Sequence, residues 1–416
     1  MEAALRDGQL VAGDPLLPVR ALASELGLSP TTVAAAYREL RRRGVVAGSG
    51  RSGTRIRSRP PIAPRLALPA PAGTRDLVSG GPDPALLPEL PPLGGPVGGY
   101  GMPSVLPALA GIATEHLAAD GVDPSHLAVV GGALDGVERA LCAWLHVGDR
   151  VAVEDPGFGA VLDLVAAMGL VAVPVPVDAN GMEPAGLDAA LAGGARAVVA
   201  TPRAQNPTGA AWDEARAVEL AAVLARHPDV VVVEDDHAGP VAGVPALTVS
   251  VGMPRWAVVR SVSKWLGPDL RLAVVVADEA TAAAVTGRQA LGTGWVSHVL
   301  QRAVAELWAD PGVGTLLERA ADIYARRGEA LRRELAALGV AARGGSGLTT
   351  WVPVADEAGT TAALLAGGWA VSPGERFRLV SPPAIRISHA TLEPAEAAVL
   401  AADIARILRR PRVRLD

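Results

Sequence analysis

The chain has one cysteine, Cys142, which excludes a disulfide framework and any cysteine-ligated metal cluster. No apolar run approaches the ~18 residues of a membrane span, and the first residues lack the apolar core of a secretory leader. A soluble, cytoplasmic protein with no membrane partner is expected. Lysine is nearly missing: of 38 basic residues, all are arginine except Lys264. Arginine supplies a fixed cation, but its guanidinium stays protonated and cannot serve as a reactive amine. A lone lysine in such a chain fits a position where an amine is needed chemically. Biased codon usage gives the same imbalance, so its neighbours must decide. Asparagine is confined to Asn180 and Asn206, and phenylalanine to two positions.

What is present amounts to 416 residues, half of them hydrophobic, enough for two or three domains. The net charge of −5 hides an asymmetry, because the first 60 residues carry ten arginines against five acids. A basic head on an acidic body suggests a nucleic-acid-binding module joined to something else. The asymmetry breaks where prolines stand at 60, 61, 64, 69 and 71. Proline fixes φ and removes donors, so this stretch reads as a semi-rigid linker. The expected division is a head over 1–56, a linker over 57–75 and a body over 76–416, with a smaller C-terminal part over 320–416.

In the head, PVRALASEL predicts a short helix with Leu22 and Leu26 on one face, stopped by Gly27. Ser29 then caps a second helix, where Val33, Tyr37 and Leu40 recur at helical spacing. Thr31, Thr32, Ala35 and Arg38 point away from that stripe. After Gly44, two strand-like pieces flank a Gly/Ser turn bearing Arg51 and Arg55. Helix–turn–helix plus a basic hairpin is a winged helix, whose second helix enters the major groove of double-stranded DNA.

The body alternates Val-rich runs with Ala/Leu-rich helical patterns, which predicts an α/β fold with a mostly parallel central sheet covered by helices on both faces. The runs are 127–130, 150–156, 195–202, 230–236, 257–263 and 271–278. Functional groups gather where such strands end. Lys264 follows the run ending in SVS, with Ser261 and Ser263 on the same loop and Arg271 seven residues on. Asp235 ends a strand, where a buried carboxylate needs a cation. Asn206 lies in QNPTG, Phe158 follows EDPG, and Gly131-Gly132 precede a helical run and could present backbone N–H groups. Together these match the needs of pyridoxal phosphate: an amine for its aldehyde, a carboxylate for its ring nitrogen, a donor for its phenolate, an apolar neighbour for its ring, and hydroxyls and a cation for its phosphate. His116, His126 and His146 have no metal-ligand spacing, so no metal is expected.

The head resembles that of GntR-type regulators. The body resembles fold-type-I aminotransferases, with EDPGF, QNPTG, EDDH and SVSK followed by Arg271 in the expected order. Their fusion is similar to the MocR subfamily of bacterial regulators, and the resemblance covers nearly the whole chain. It implies that Lys264 anchors the cofactor, Asp235 faces the ring nitrogen, Asn206 donates to the phenolate and Phe158 stacks on the ring. Ser261, Ser263, Arg271 and the N–H groups of Ala133 and Leu134 would hold the phosphate. Tyr100 would reach the phosphate from the other subunit of a head-to-tail homodimer, and Arg386 would clamp the α-carboxylate of an amino compound. In the head, Arg20, Thr31, Thr32 and the wing around Gly53 match DNA-contacting positions.

Three departures qualify the match. His237 stands where a tyrosine is usual beside the phenolate, Pro30 replaces an arginine at the start of the recognition helix, and Leu134-Asp135 replace a more polar pair. The expected function is a transcriptional regulator sensing an amino compound or the cofactor itself. A working aminotransferase with an accessory head is the alternative.

Overall fold

The computed structural model describes residues 14–42, 46–47, 53–56, 70–92, 99–250 and 252–409. Arg51 and most of the proline-rich linker lie outside the described residues.

The head contains β1 (Pro15–Leu16), α1 (Val19–Leu26), α2 (Pro30–Arg42), β2 (Val46–Ala47) and β3 (Thr54–Ile56). The strands form one antiparallel sheet in the order β1-β3-β2, so the two helices carry a wing. Gly27 ends α1 in the left-handed region, at φ 66°, where a side chain would be strained. Ser29 Oγ accepts the Thr32 N–H at 3.1 Å, as expected of an N-cap. Val33 and Tyr37 are buried and Leu40 packs on them. The Tyr37 hydroxyl also donates to Leu17 O at 2.7 Å, tying α2 to the segment before α1. One expectation fails in α1. Its buried residue is Ala23, whereas Leu26 is 56% exposed. Leu26 sits in the last turn, beside the Gly27 stop, and takes no part in the cluster that Ala23, Val33 and Tyr37 form.

The body begins with β4 (Arg75–Asp76) and α3 (Pro107–Ala119), followed by β5 (Leu127–Val130), α4 (Ala133–Trp144), β6 (Arg150–Asp155) and α5 (Gly159–Ala167). It continues through β7 (Val171–Asp178), β8 (Gly181–Met182), α6 (Pro184–Ala192), β9 (Ala195–Ala200) and α7 (Glu214–Leu224). Then come β10 (Val231–Asp236), β11 (Trp256–Ser261), β12 (Ala273–Ala277), α8 (Glu279–Ala290) and α9 (His298–Ala309). Eight strands form one sheet in the order β5-β12-β11-β10-β9-β6-β7-β8. β7, β6, β9, β10 and β11 pair in parallel, while β12 is antiparallel to both β11 and β5. The reversal has a local cause. Residues 262–272 join β11 to β12 with only the short 3-10 turn Pro268–Leu270, and a connection without a crossover helix returns the chain antiparallel.

Alternation along the strands divides the valines between two layers. Val130, Val231, Val259 and Val275 pack with residues of α4, α5 and α8, while Val129, Val258 and Val274 pack with Trp308 of α9. Each fully buried Val or Leu contributes ~1.5–3 kcal/mol, so this double coverage dominates the fold's stability. β7 is absent from the strands expected from the sequence because Pro174 and Pro176 interrupt it. Both prolines share one parity, and β7 pairs fully only with β6. The missing N–H groups are tolerated near the edge of a sheet.

The long α10 (Pro311–Ala337) leads to β13 (Thr349–Pro353), α11 (Glu357–Ala366), β14 (Trp369–Ala370), β15 (Ser372–Pro373), β16 (Ala384–Ser388) and α12 (Pro394–Leu408). β13, β16 and β15 form a second, antiparallel sheet with β16 in the middle. β14 pairs with β4, and Leu77 is buried in the cluster that α10, α12 and this sheet share. Among the described residues no helix is long and apolar enough to cross a membrane, and no cluster could hold a metal ion.

Candidate functional site

Most of the sequence-predicted cofactor residues meet in one cavity of about 390 Å³. Its lining includes Ala133, Leu134, Phe158, Asn206, Asp235, His237, Ser261, Ser263, Lys264, Arg271 and Arg386. Each comes from the end of an element. Asp235 is the last residue but one of β10, Ser261 ends β11, and Lys264 lies on the loop that turns back into β12. Phe158 is the residue before α5, and Ala133 and Leu134 open α4. Arg386 alone comes from the middle of the second sheet.

Asp235 is 2% exposed, and its Oδ1 has no hydrogen-bond partner. Burial, and the charges of Asp236 and Glu154, push its pKa up to about 7. Lys264 donates to Gly80 O, and burial together with the Arg386 charge brings its pKa down to about 8. The amine is therefore closer to a reactive, neutral state than a surface lysine. Burial and the Lys264 charge bring half-buried His237 down to about 4, so its imidazole is neutral at pH 7. The Asn206 Oδ1 accepts from Arg386 Nη1 at 3.2 Å, which leaves its amide donors to face elsewhere.

The phosphate-holding candidates also converge. Ser261 Oγ accepts the Ser263 N–H at 3.3 Å, and Ser263 Oγ is buried without a partner. The first N–H groups of α4 have no partner within the helix. Gly132, before α4, has φ 110°, and a Cβ there would stand 3.0 Å from Arg271 Nη2. Glycine thus admits the Arg271 guanidinium to the helix N-terminus. Gly131 does not present a free N–H, contrary to expectation. Its N–H is committed to Asp135 Oδ2 at 2.8 Å, because Asp135 folds back over the turn.

Arg386 is 4% exposed and forms no ion pair with any described residue. Its donors go to neutral oxygens, those of Asn206, Ser372 and Val78, and its Nε is buried without a partner. Burial and the Arg376 charge lower its pKa to about 9. Such a fork suits a carboxylate. Tyr100 does not join the cavity within one chain. It is 96% exposed and packs edge-on against Trp295 at 5.8 Å.

In the head, Arg20, Thr31, Thr32, Ala35 and Arg38 are all exposed, the last four opposite the Val33–Tyr37 stripe. Gly53 and Arg55 are exposed on the wing. The hydroxyls of Thr31 and Thr32 each hydrogen-bond Ser29 Oγ at 2.7 Å, so they belong to the cap as well as to the exposed face.

Sequence reasoning missed the buried groups that steady these loops. Asp236 points away from the cavity and accepts from Arg203 Nε and Nη2, each at 2.9 Å, and from Arg260 Nε at 2.8 Å. Arg260 also meets Asp120 at 2.6 Å. A signal existed, since an arginine inside a Val-rich strand covered on both faces requires a partner. Glu154 accepts from Thr201 N and Gln205 Nε2, each at 3.1 Å, which stitches EDPG to QNPTG. Asp155 accepts the N–H groups of Leu379, Val380 and Ser381 at 2.8 Å, fixing the loop after Arg376 and Phe377.

The unpartnered acid, the glycine-admitted arginine and the lone lysine fit pyridoxal phosphate. Comparison with known proteins agrees. The family described as aminotransferase class I and II matches residues 94–404, and the gntR family of bacterial regulatory proteins matches residues 1–56. The chain is 42% identical to the vitamin B6 salvage pathway transcriptional repressor PtsJ of Salmonella typhimurium, over 97% of this chain and 95% of that protein. It is 27% identical to the probable rhizopine catabolism regulatory protein MocR of Rhizobium meliloti, over 79% of this chain and 74% of that one. In fold it is similar to LysN, an α-aminoadipate aminotransferase of Thermus thermophilus, with a TM-score of 0.69 at 22% identity, over 81% and 92% of the two chains.

Proposed function

The chain belongs to the MocR-type regulators, in which a gntR-family head precedes an aminotransferase class I and II body, and we propose that its body is a pyridoxal-phosphate-dependent sensor governing the head's grip on operator DNA. In this reading residues 1–56 bind DNA, 57–75 link, and 76–416 sense, with 320–416 as the smaller part. The single observation behind it is the cavity, where the only lysine, a buried acid lacking a partner and an arginine lacking an acid face one another.

Pyridoxal phosphate supplies, when bound, a carbonyl carbon for amines and a ring that draws electrons from it. The chain's own residues do the rest. Lys264 anchors the cofactor covalently. Asp235 sets its charge against the ring nitrogen and is itself held ionised by that cation. Asn206 and His237 donate towards the phenolate, and Phe158 covers the ring. Ser261, Ser263, Arg271 and the N–H groups of Ala133 and Leu134 bind the phosphate, with Tyr100 reaching it in a head-to-tail homodimer. Arg386 orients the carboxylate of an amino compound. In the head, Arg20, Thr31, Thr32 and Arg38 face the major groove, and the wing with Arg51, Gly53 and Arg55 faces the phosphates. The protein works in the cytoplasm on an operator with two half-sites. Its effector is an amino compound or pyridoxal phosphate, and the vitamin B6 role in the name of the Salmonella relative favours the cofactor as one effector.

An effector shifts the regulator only if it binds two dimer states unequally. The test is to titrate pyridoxal phosphate into apo-protein while following its affinity for the DNA upstream of its own gene, then add amino acids to the holo-protein. A shift in the first step alone supports cofactor sensing, and in the second alone amino-compound sensing. The full set of cavity groups, Arg386 included, favours a second reading as an aminotransferase. No shift in either step, with repeated turnover of an amino donor and a keto acid, would replace regulation with that reading.

A further inference from the structure

We infer that residues 78–81 are a built-in competitor for the effector: their carbonyls hold Lys264 and Arg386, an effector takes those two cations away, and the freed segment is what the linker to the head senses. The inference rests on the proposed reading of the body as a sensor and supplies its regulation.

The segment consists of Val78, Ser79, Gly80 and Gly81, and all but Ser79 line the cavity. The Lys264 amine donates to Gly80 O, and Arg386 Nη2 donates to Val78 O. A Cβ on Gly80 would stand 3.1 Å from Arg386 Nη1, so glycine lets the backbone lie against the guanidinium. The two groups proposed to receive the cofactor's aldehyde and the effector's carboxylate thus both hold one short stretch of chain. Each proposed effector removes one hold. Condensation of the Lys264 amine with the cofactor's aldehyde forms a C=N bond and releases water. It leaves the nitrogen at most one proton to donate, where the ammonium has three. A carboxylate engages the Arg386 fork through paired charge-assisted bonds, which outcompete a bond to a neutral carbonyl. One element therefore answers both kinds of effector.

Both ends of the segment are fixed. Leu77 is buried, its N–H donates to Ala370 O at 2.9 Å and its carbonyl accepts the Ser388 N–H at 2.9 Å. On the other side Asp83 pairs with Arg327 at 2.8 Å and gives its N–H to the Tyr324 hydroxyl at 3.0 Å. The tie towards the head is Asp76, the last residue of β4, which begins where the proposed linker ends. Asp76 Oδ1 accepts the N–H groups of Val78 at 2.8 Å and Ser79 at 3.2 Å. A displaced segment gives up those bonds or pulls on β4. Asp76 also acts on Arg386 through its charge, which opposes the lowering of the Arg386 pKa by burial and by Arg376. Asp76→Ala and Asp76→Asn lose that charge alike, but the Asn amide oxygen still accepts the two N–H groups.

Amide hydrogen exchange, read by mass spectrometry on a peptide covering residues 76–83, measures the release. A ligand that only covers the cavity slows exchange there. Saturating pyridoxal phosphate should instead speed it about tenfold, and Arg386→Met should speed it in the apo-protein with no ligand added. In parallel, operator affinity is measured with and without saturating pyridoxal phosphate. The native protein and Asp76→Asn should respond, whereas Asp76→Ala should lose most of the response while still holding the cofactor. Exchange that the cofactor slows or leaves unchanged, an Arg386→Met segment as slow as the native one, or equal responses from the two Asp76 variants overturns the inference and leaves the proposed function standing. Faster exchange in a native protein whose operator affinity never moves overturns the sensor reading, and this inference with it.

Discussion

Two adjacent carboxylates on β10 should respond to the same substitution with opposite signs. Asp235 has no hydrogen bond at Oδ1, and burial raises its pKa from 3.8 to about 7. The folded apo-protein therefore keeps a proton that the unfolded chain releases. That contribution to stability is fully present below pH ~4 and is lost as pH rises to about 7. At 1.36 kcal/mol per unit, the loss is on the order of 4 kcal/mol at its upper end. Asp235→Asn removes the titration, so the apo-variant should be more stable than the native chain, and by more at pH 8 than at pH 5. Asp236 is the reverse case. Arg203 and Arg260 hold its pKa far below the usual carboxylate range, and all three side chains are nearly fully buried. Asp236→Asn takes the counter-charge from buried Arg203 and leaves Arg260 with Asp120 alone, at a cost of about 3–5 kcal/mol at either pH. Urea unfolding of the apo-forms, read as midpoint and slope, measures both. A destabilised Asp235→Asn at pH 8, a gain that does not change with pH, or a mild Asp236→Asn would refute the reasoning. The stabilising substitution should also weaken pyridoxal phosphate binding, since the ring nitrogen loses its counter-charge.

Two further outcomes follow from the same cavity. Because Lys264 is the only lysine, borohydride treatment of the holo-protein should fix one cofactor onto the peptide that contains it, and Lys264→Ala should abolish that mass shift; a reducible adduct that persists would place the anchor elsewhere. Gly132→Ala should lower affinity for pyridoxal phosphate roughly tenfold or more, because a Cβ at positive φ and 3.0 Å from Arg271 Nη2 displaces the guanidinium; equilibrium dialysis at a temperature where the variant is fully folded checks this, and unaltered affinity would remove Arg271 from the phosphate site.

The helices and strands of the body were legible because burial on both faces leaves a strong trace. Val-rich runs such as Val231–Asp236 and Trp256–Ser261 suit a strand covered on both sides and little else. The direction of β12 was not legible, since nothing in a run of valines records which way it is traversed. Its orientation follows from the 262–272 connection, which holds the lysine and has no crossover helix. β7 was hidden by prolines that only its place near the sheet edge makes harmless. In the head, periodicity found the Val33–Tyr37 stripe but overvalued Leu26, because an apolar residue in the last turn of an eight-residue helix need not meet a neighbour.

The site was legible to the extent that cofactor chemistry dictates residue types at strand ends. Lys264, Asp235 and Asn206 stand out against valine, arginine and alanine wherever they occur. What surrounds them was not, because it depends on partners distant in sequence. Asp155 reads as part of a turn, yet its carboxylate accepts three N–H groups of residues 379–381 and so binds the second sheet's loop to the end of β6. Glu154 likewise ties the Phe158 turn to the Asn206 loop through Gln205. The amine end of the cavity belongs to the large sheet and Arg386 to the small one. The length of ligand that spans them is set by these tethers, and no spacing within either motif contains that distance. Arg376 was invisible for the same reason: in the sequence it is one arginine among thirty-seven, and only the fold brings it into the lining of the cavity that holds the lysine.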